Sequence, residues 1–234
     1  IPKGAIYGFV GRNGAGKTTL IRLICGLQTP TGGSFTLYGT KNTDAKIGRC
    51  RRRMGAVVET PSIYLDMTAE ENIRQQHLVL GLPSMDGAQE LLHLVGLGST
   101  GSKKAKNFSL GMRQRLGIAV ALAGSPDFLV WDEPVNGLDP QGIIEMRELI
   151  LKLNQERGIT VLISSHILDE LSRLATHYGF IDGGHMVKEM SAEELEARCR
   201  KCIRIAVSDT SVLARVLDAM HAEYRILDDS HAEI

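Results

Sequence analysis

The chain has 234 residues, with 27 Lys and Arg against 27 Asp and Glu and a formal net charge of zero. Hydrophobic residues are 43% and charged residues 23%, which excludes a wholly disordered chain and leaves room for one large domain, with or without an appendage. A neutral balance supplies no global field to hold nucleic acid or an anionic membrane, so any phosphate binding must be local.

The chain opens Ile1-Pro2-Lys3-Gly4 without Met and stops at Ile234 after a strand-like stretch, so both ends read as cut. Its opening residues do not read as a secretory leader. The longest apolar run, 116–124, has nine residues and two glycines, well short of the roughly 18 residues of a membrane span; the chain reads as soluble. Residues 5–10 form a buried strand, followed by a Gly-rich turn from Gly11 to Gly16. From Lys17 to Cys25 the apolar Leu20, Ile21, Leu23 and Ile24 fall at helical spacing, with Gly26 as C-cap. A short strand is expected over 34–38, then a basic polar connection over 41–53 that reads as solvated surface. Residues 54–58 form a further strand, and 68–124 are mainly helical with breaks at Gly81-Leu82-Pro83 and at 96–101. Phe128 to Trp131 suits a central parallel strand, and residues 142–154 an amphipathic helix. Strand 160–163, helix 168–176 and a hairpin of 178–181 with 185–189 follow. Ser191 to Glu194 is a capping box opening a charged helix that runs to Lys201, after which strand 203–207, helix 211–220 and strand 223–227 make an appended piece. Strands alternating with helices indicate an α/β fold. The four cysteines are Cys25, Cys50, Cys199 and Cys202. The lone Cys199-x-x-Cys202 pair has no second CxxC or His pair to complete a zinc site, and all four read as free thiols of a reducing cytoplasm.

Gly11-Arg12-Asn13-Gly14-Ala15-Gly16-Lys17-Thr18 matches G-x-x-x-x-G-K-[ST] between a strand and a helix, with Thr19 following. The glycines bring backbone N–H groups against phosphate oxygens, and the helix N-terminus adds its positive end. Lys17 offers a point charge to the β/γ-phosphates of a nucleoside triphosphate, and the Thr18 hydroxyl is placed to ligate Mg²⁺. The apolar strand 128–131 delivers Asp132 and Glu133 at its C-terminal end, where open α/β sheets place ligands. Asp132 can hold the Mg²⁺ hydration shell and Glu133 can polarise the attacking water.

At Asn107-Phe108-Ser109-Leu110-Gly111-Met112-Arg113-Gln114-Arg115 the chain resembles the signature segment of ATP-binding-cassette (ABC) ATPases, usually written LSGGQ. Ser109 and Gly111 match it; Phe108, Leu110 and Met112 depart. Ser109 is also a good N-cap for the helix that follows. The resemblance continues through Asn136-Gly137-Leu138-Asp139 as the D-loop and Ser164-Ser165-His166 as the switch histidine. It implies a P-loop NTPase core of mainly parallel sheet over 1–190, an inserted helical subdomain at about 60–125, and a small, incomplete α+β appendage at 191–234. It further implies a head-to-tail dimer with a second copy, in which Ser109 and Gly111 bind the γ-phosphate held by the other subunit and Asp139 couples the two sites. Glu133 and His166 would carry out hydrolysis. A separate transmembrane permease would hold the subunit at the cytoplasmic face of the cell membrane, with no nucleic-acid partner, and would dock on 61–67, whose Ile63, Tyr64 and Leu65 read equally as core.

Glu59 stands where the family normally carries a Gln that touches Mg²⁺ and water. A carboxylate can still ligate the metal there, or simply face solvent. With the altered signature it resembles the bacterial exporter subgroup for bacitracin and lantibiotic-type peptides. The family's adenine-stacking aromatic residue would precede the P-loop by more residues than this chain has. Tyr7 reads as core instead, and since base stacking contributes roughly 1–3 kcal/mol, weak ATP binding is expected of this chain. A non-transport ABC ATPase of DNA repair or the ribosome, and a non-hydrolysing regulator, are the alternative readings. The span from Gly11 to Ser109 is too short for the coiled coils of repair members, and one neutral cassette lacks the basic linker of ribosomal ones.

Overall fold

The computed structural model describes residues 1–82, 87–199 and 203–234. Pro83, Lys201 and Cys202, named above for a helix break, a helix end and a cysteine pair, lie outside the described residues. Two compact units emerge, Ile1–Ala192 and Glu193–Ile234.

In the first unit, strand β1 (Ile6–Val10) leads into helix α1 (Lys17–Cys25), capped by Gly26 in the left-handed region at φ 80°. The short β2 (Thr36–Leu37) and β3 (Thr40–Lys41) pair with each other, and α2 (Ile47–Arg51) precedes β4 (Met54–Val57). Helices α3 (Ala69–Leu80), α4 (Ala88–Leu94) and α5 (Leu110–Leu122) follow, with a 3-10 turn at Ala105–Asn107. Strand β5 (Phe128–Asp132), α6 (Pro140–Arg157), β6 (Thr160–Ser165), α7 (Leu168–Ser172) and the hairpin β7 (His177–Asp182)/β8 (His185–Ser191) complete it. The second unit holds α8 (Ala192–Arg198, which starts at the boundary), β9 (Arg204–Ala206), α9 (Thr210–Ala219), β10 (Arg225–Asp228) and β11 (His231–Glu233). Its three strands form an antiparallel sheet in the order β10-β11-β9.

The main sheet runs β4-β5-β6-β1-β7-β8, parallel except for β8. After β1 the chain travels to the β4 edge and returns inward, whereas after β6 it crosses to β7 on the other side of β1. That reversal is a topological switch point, and it puts the C-terminal ends of β1, β5 and β6 around one crevice. Alternation along the strands assigns the two faces. Tyr7, Phe9, Phe128, Val130 and Leu162 form one cluster with Ile21 of α1. Leu129, Trp131, Val161 and Ile163 therefore point to the opposite face, and all four are buried. Asp132 shares the parity of Phe128 and Val130, so the sheet itself turns its carboxylate toward α1.

Four sequence expectations are corrected. The strand over 34–38 shrinks to Thr36–Leu37. The basic connection contains α2, and Arg51 is not solvated: its guanidinium donates to the Ile24 and Leu23 carbonyls at 3.0 and 3.2 Å and closes the C-terminus of α1. The helix expected over 168–176 ends at Ser172, where Thr176 instead takes its place beside β1, its backbone N–H donating to the Ile6 carbonyl at 2.8 Å. The appendage has a third strand, β11, unsignalled by its His-Ala-Glu sequence. Tyr7 packs in the core as expected, its hydroxyl bonded to Glu189; burial and that carboxylate push its phenol pKa up. Burial likewise pushes the Cys25 thiol up to about 11, which makes it an inert thiol.

Gly55 on β4 shows how closely α5 lies on the sheet. A Cβ there would collide with the Ala121 carbonyl and come within 2.7 Å of Leu129 Cδ2. Backbone cannot move aside as a side-chain tip does. Gly55→Ala is expected to cost about 1–3 kcal/mol or more, and so to lower the melting temperature by several degrees. Thermal denaturation checks this; an unchanged melting temperature would mean that α5 is free to shift.

Candidate functional site

The Gly-rich turn follows β1 and is fastened at both sides. The Gly11 N–H donates to the Ser165 carbonyl at 3.2 Å, and the Ala15 carbonyl accepts from the Gly184 N–H at 2.9 Å. Gly11 has no room for a side chain, since a Cβ would lie 2.6 Å from the Ile181 carbonyl oxygen. Gly14 and Gly16 adopt φ of 81° and 105°, the left-handed region that only glycine enters freely. Arg12, Asn13 and Gly14 are exposed at the tip, Ala15 is buried beneath it, and Thr19 is exposed one residue past Thr18. Helix α1 starts at Lys17, so its first N–H groups, which have no partner within the helix, lie at the turn together with the positive end of the helix dipole.

Lys17 is 5% exposed, yet its ammonium is fully occupied. It donates to the Gly11 and Arg12 carbonyls at 2.7 and 3.2 Å and lies 3.2 Å from Glu133 Oε1. The lysine therefore straps the loop into shape and carries its charge to the acidic strand. Thr18 Oγ1 donates to Asp132 Oδ2 at 2.7 Å. Glu133 takes φ 50°, a left-handed backbone uncommon for a residue with a side chain. Its second oxygen, Oε2, lies 3.2 Å from His166 Nδ1, and Asn136 Nδ2 donates to it at 3.5 Å. Lys17 and His166 thus reach the two oxygens of a single carboxylate.

Glu59 also has a left-handed backbone, at φ 59°. Its carboxylate accepts from Arg22 Nη2 on α1 at 2.7 Å in an exposed ion pair, while the residue lines a small cleft with Trp131, Asp132 and Glu133.

Ser109, Gly111 and Asp139 form a separate group. Ser109 is the N-cap of α5, accepting from the Met112 N–H at 3.2 Å, and Asp139 is the N-cap of α6, accepting from the Gly142 N–H at 3.0 Å. Both line a cavity of about 380 Å³ together with Gly111, Arg115, Gly137 and Glu145, and no residue of the Gly-rich turn lines it. An Arg115–Glu145 pair at 2.8 Å braces the two helices behind it.

Two residues of this centre carry no sequence signal. Ser164 Oγ donates to Asp132 Oδ1 at 2.6 Å and accepts from the Glu133 N–H at 2.9 Å, and Arg22 holds Glu59. Strand register places the first and helix phase the second; Ser164 stands in the switch segment only as a neighbour of His166, with no role of its own in that motif, and Arg22 belongs to no motif.

A parallel sheet whose first strand feeds a fastened Gly-rich turn, with an acidic strand two positions away beyond β6, defines a P-loop nucleoside triphosphatase fold. The ABC transporter family profile matches residues 1–136, and the chain belongs to that family. It is 42% identical over 221 residues to the bacitracin transport ATP-binding protein BcrA of Enterococcus faecalis, covering 94% of this chain and 71% of that protein. It is 43% identical over 189 residues to the lantibiotic transport ATP-binding protein SrtF of Streptococcus pyogenes, covering 81% and 80% of the two chains. Among solved structures, a dimeric ATP-binding cassette in a post-hydrolysis state with ADP and phosphate superimposes with a TM-score of 0.73 at 27% identity, over 82% of this chain and 87% of that one. The chain is an ATP-binding, ATP-hydrolysing subunit of a transporter. No helix among the described residues is long and apolar enough to cross a membrane.

Proposed function

We propose that this chain powers the export of peptide antibiotics through a separate membrane permease, two copies closing head to tail around two ATP. The observation that carries the ATPase chemistry is the convergence of Lys17 and His166 on Glu133. In this reading the Gly11–Thr19 turn, including Arg12, Asn13, Gly14, Ala15 and Gly16, cradles the phosphates. Lys17 moves its charge from Glu133 to the β/γ-phosphates, which leaves Glu133 free to accept a proton from water, and His166 steadies the γ-phosphate. Ser109 and Gly111 meet the γ-phosphate of the other copy, with Asp139 beside them at the same cavity. The dimeric state of the structural neighbour supports that pairing.

Mg²⁺ suits the donors present. Thr18 and Asp132 bring two hard oxygens together at 2.7 Å, and no group of three or more His, Cys, Asp or Glu forms a metal cage among the described residues. That is the provision expected for an ion held by few protein oxygens and the substrate's own phosphates. When bound, the ion neutralises developing phosphate charge. Glu59 faces the same cleft, and Arg22 offsets the charge it adds beside metal and phosphates.

The likeness to bacitracin and lantibiotic transport proteins supports the export reading. The permease would hold the subunit peripherally at the cytoplasmic face of the membrane, against the 61–67 segment, where Tyr64 and Leu65 are exposed. Co-expression of subunit and permease in a sensitive bacterium should raise the tolerated concentration of bacitracin or a lantibiotic, and a Glu133→Gln subunit should not. Unchanged tolerance to both peptides with ATPase activity intact would overturn the export reading alone.

A further inference from the structure

The switch segment carries two adjacent serines, and the chemistry above uses neither side chain. Ser164 is completely buried. In the parallel register Val130 stands beside Leu162 and Asp132 beside Ser164, so the serine hydroxyl emerges on the α1 face next to the carboxylate. It makes two bonds there, donating to Asp132 Oδ1 at 2.6 Å and accepting from the Glu133 N–H at 2.9 Å. The other Asp132 oxygen accepts from Thr18, so this carboxylate is gripped from both sides. The Glu133 N–H belongs to a residue in the disfavoured left-handed region, where a backbone stays only if its surroundings hold it. One hydroxyl therefore ties the orientation of Asp132 to the backbone conformation that aims Glu133.

We propose that Ser164 is a positioning residue for ATP hydrolysis, fixing Asp132 and Glu133 relative to each other without touching nucleotide. This rests on the reading of Glu133 as the base. A buried hydrogen bond also stabilises a fold, so the test must separate placement from stability. Hydrolysis depends on where the Glu133 carboxylate sits to within about an ångström, and a misplacement of that size costs about 10²-fold. Binding of the phosphate chain depends on the Gly-rich turn and Lys17, and neither bond of the Ser164 hydroxyl goes to them.

The experiment measures steady-state ATPase activity, nucleotide affinity in EDTA and the melting curve of the full chain carrying Ser164→Ala. The expected result is a kcat lowered about 10²-fold with affinity in EDTA at the parent value. Ser164→Thr and Ser164→Val form the second comparison: the two side chains have the same shape and differ by the hydroxyl, so Thr should be the faster by at least an order of magnitude, and this pair decides the matter if the Ala variant does not fold. The proposal is overturned by a parental kcat in Ser164→Ala, by a fall in kcat matched by an equal fall in affinity, or by equal kcat in the Thr and Val variants. An inactive Glu133→Gln beside a fully active Ser164→Ala overturns the positioning role only; a fully active Glu133→Gln overturns the underlying reading.

Discussion

Glu133→Gln is expected to lower kcat by about 10²–10⁴-fold, the range of a lost general base, while ATP affinity holds or rises. The substitution keeps size, and the residue is half-buried among Lys17, His166 and Asn136, so packing should survive. What goes is the negative charge. A triphosphate entering the turn must draw Lys17 away from Glu133 Oε1, 3.2 Å off, and must settle near a carboxylate of its own sign. Glutamine would remove both obstacles to binding and, on the proposed role of Glu133, the proton acceptor at once. The two effects have opposite signs, so a general loosening of the site cannot imitate them. Nucleotide binding and single-turnover hydrolysis measured on the same preparation check both; hydrolysis at the parental rate would remove Glu133 from the mechanism.

The phosphate turn and the acidic strand were legible in the sequence because each requires particular residue types at fixed spacing. Glycine is needed where φ is 81° and 105°, and four apolar residues are needed to bury a strand that ends in Asp132. Other parts depend on partners distant in the chain. Arg51 sits in a basic run that resembles solvated surface, and only the approach of the α1 C-terminus turns it into a helix cap. Strand β11 has no β-rich composition; it exists because β9 and β10 lie on either side of it and Ala232 is buried there. Ser164 is the sharpest case. A serine at a strand end carries no pattern, and its role is set by strand register with β5, thirty-odd residues earlier. Glu59 was visible as a departure from the family's usual Gln, whereas its pairing with Arg22 required the geometry.

A neutral chain holds a polyanion by the same logic of local placement. With no net charge to draw ATP in, the attraction must come from a few donors already aimed, and among them Lys17 is a full charge buried where the turn enters α1. Lys17→Ala is therefore expected to weaken ATP binding by about 30- to 1,000-fold, equivalent to the roughly 2–4 kcal/mol that follows truncation of a buried, hydrogen-bonded charge. Two losses add up. The phosphates lose their cation, and the Gly11 and Arg12 carbonyls lose the strap that keeps the turn open to them. Glu133 is meanwhile left without its counter-charge beside the γ-phosphate position, so repulsion replaces attraction. Lys17→Arg should rescue little, because a planar guanidinium cannot reproduce three bonds from one compact ammonium within a pocket that leaves the side chain 5% exposed. Adding Glu133→Gln to Lys17→Ala should recover part of the affinity by removing that repulsion, a gain larger than Glu133→Gln brings alone if the two charges act on each other. Calorimetric titration of ATP into the four proteins of this cycle measures the coupling, and strictly additive effects would show that the Lys17–Glu133 contact has no part in nucleotide binding.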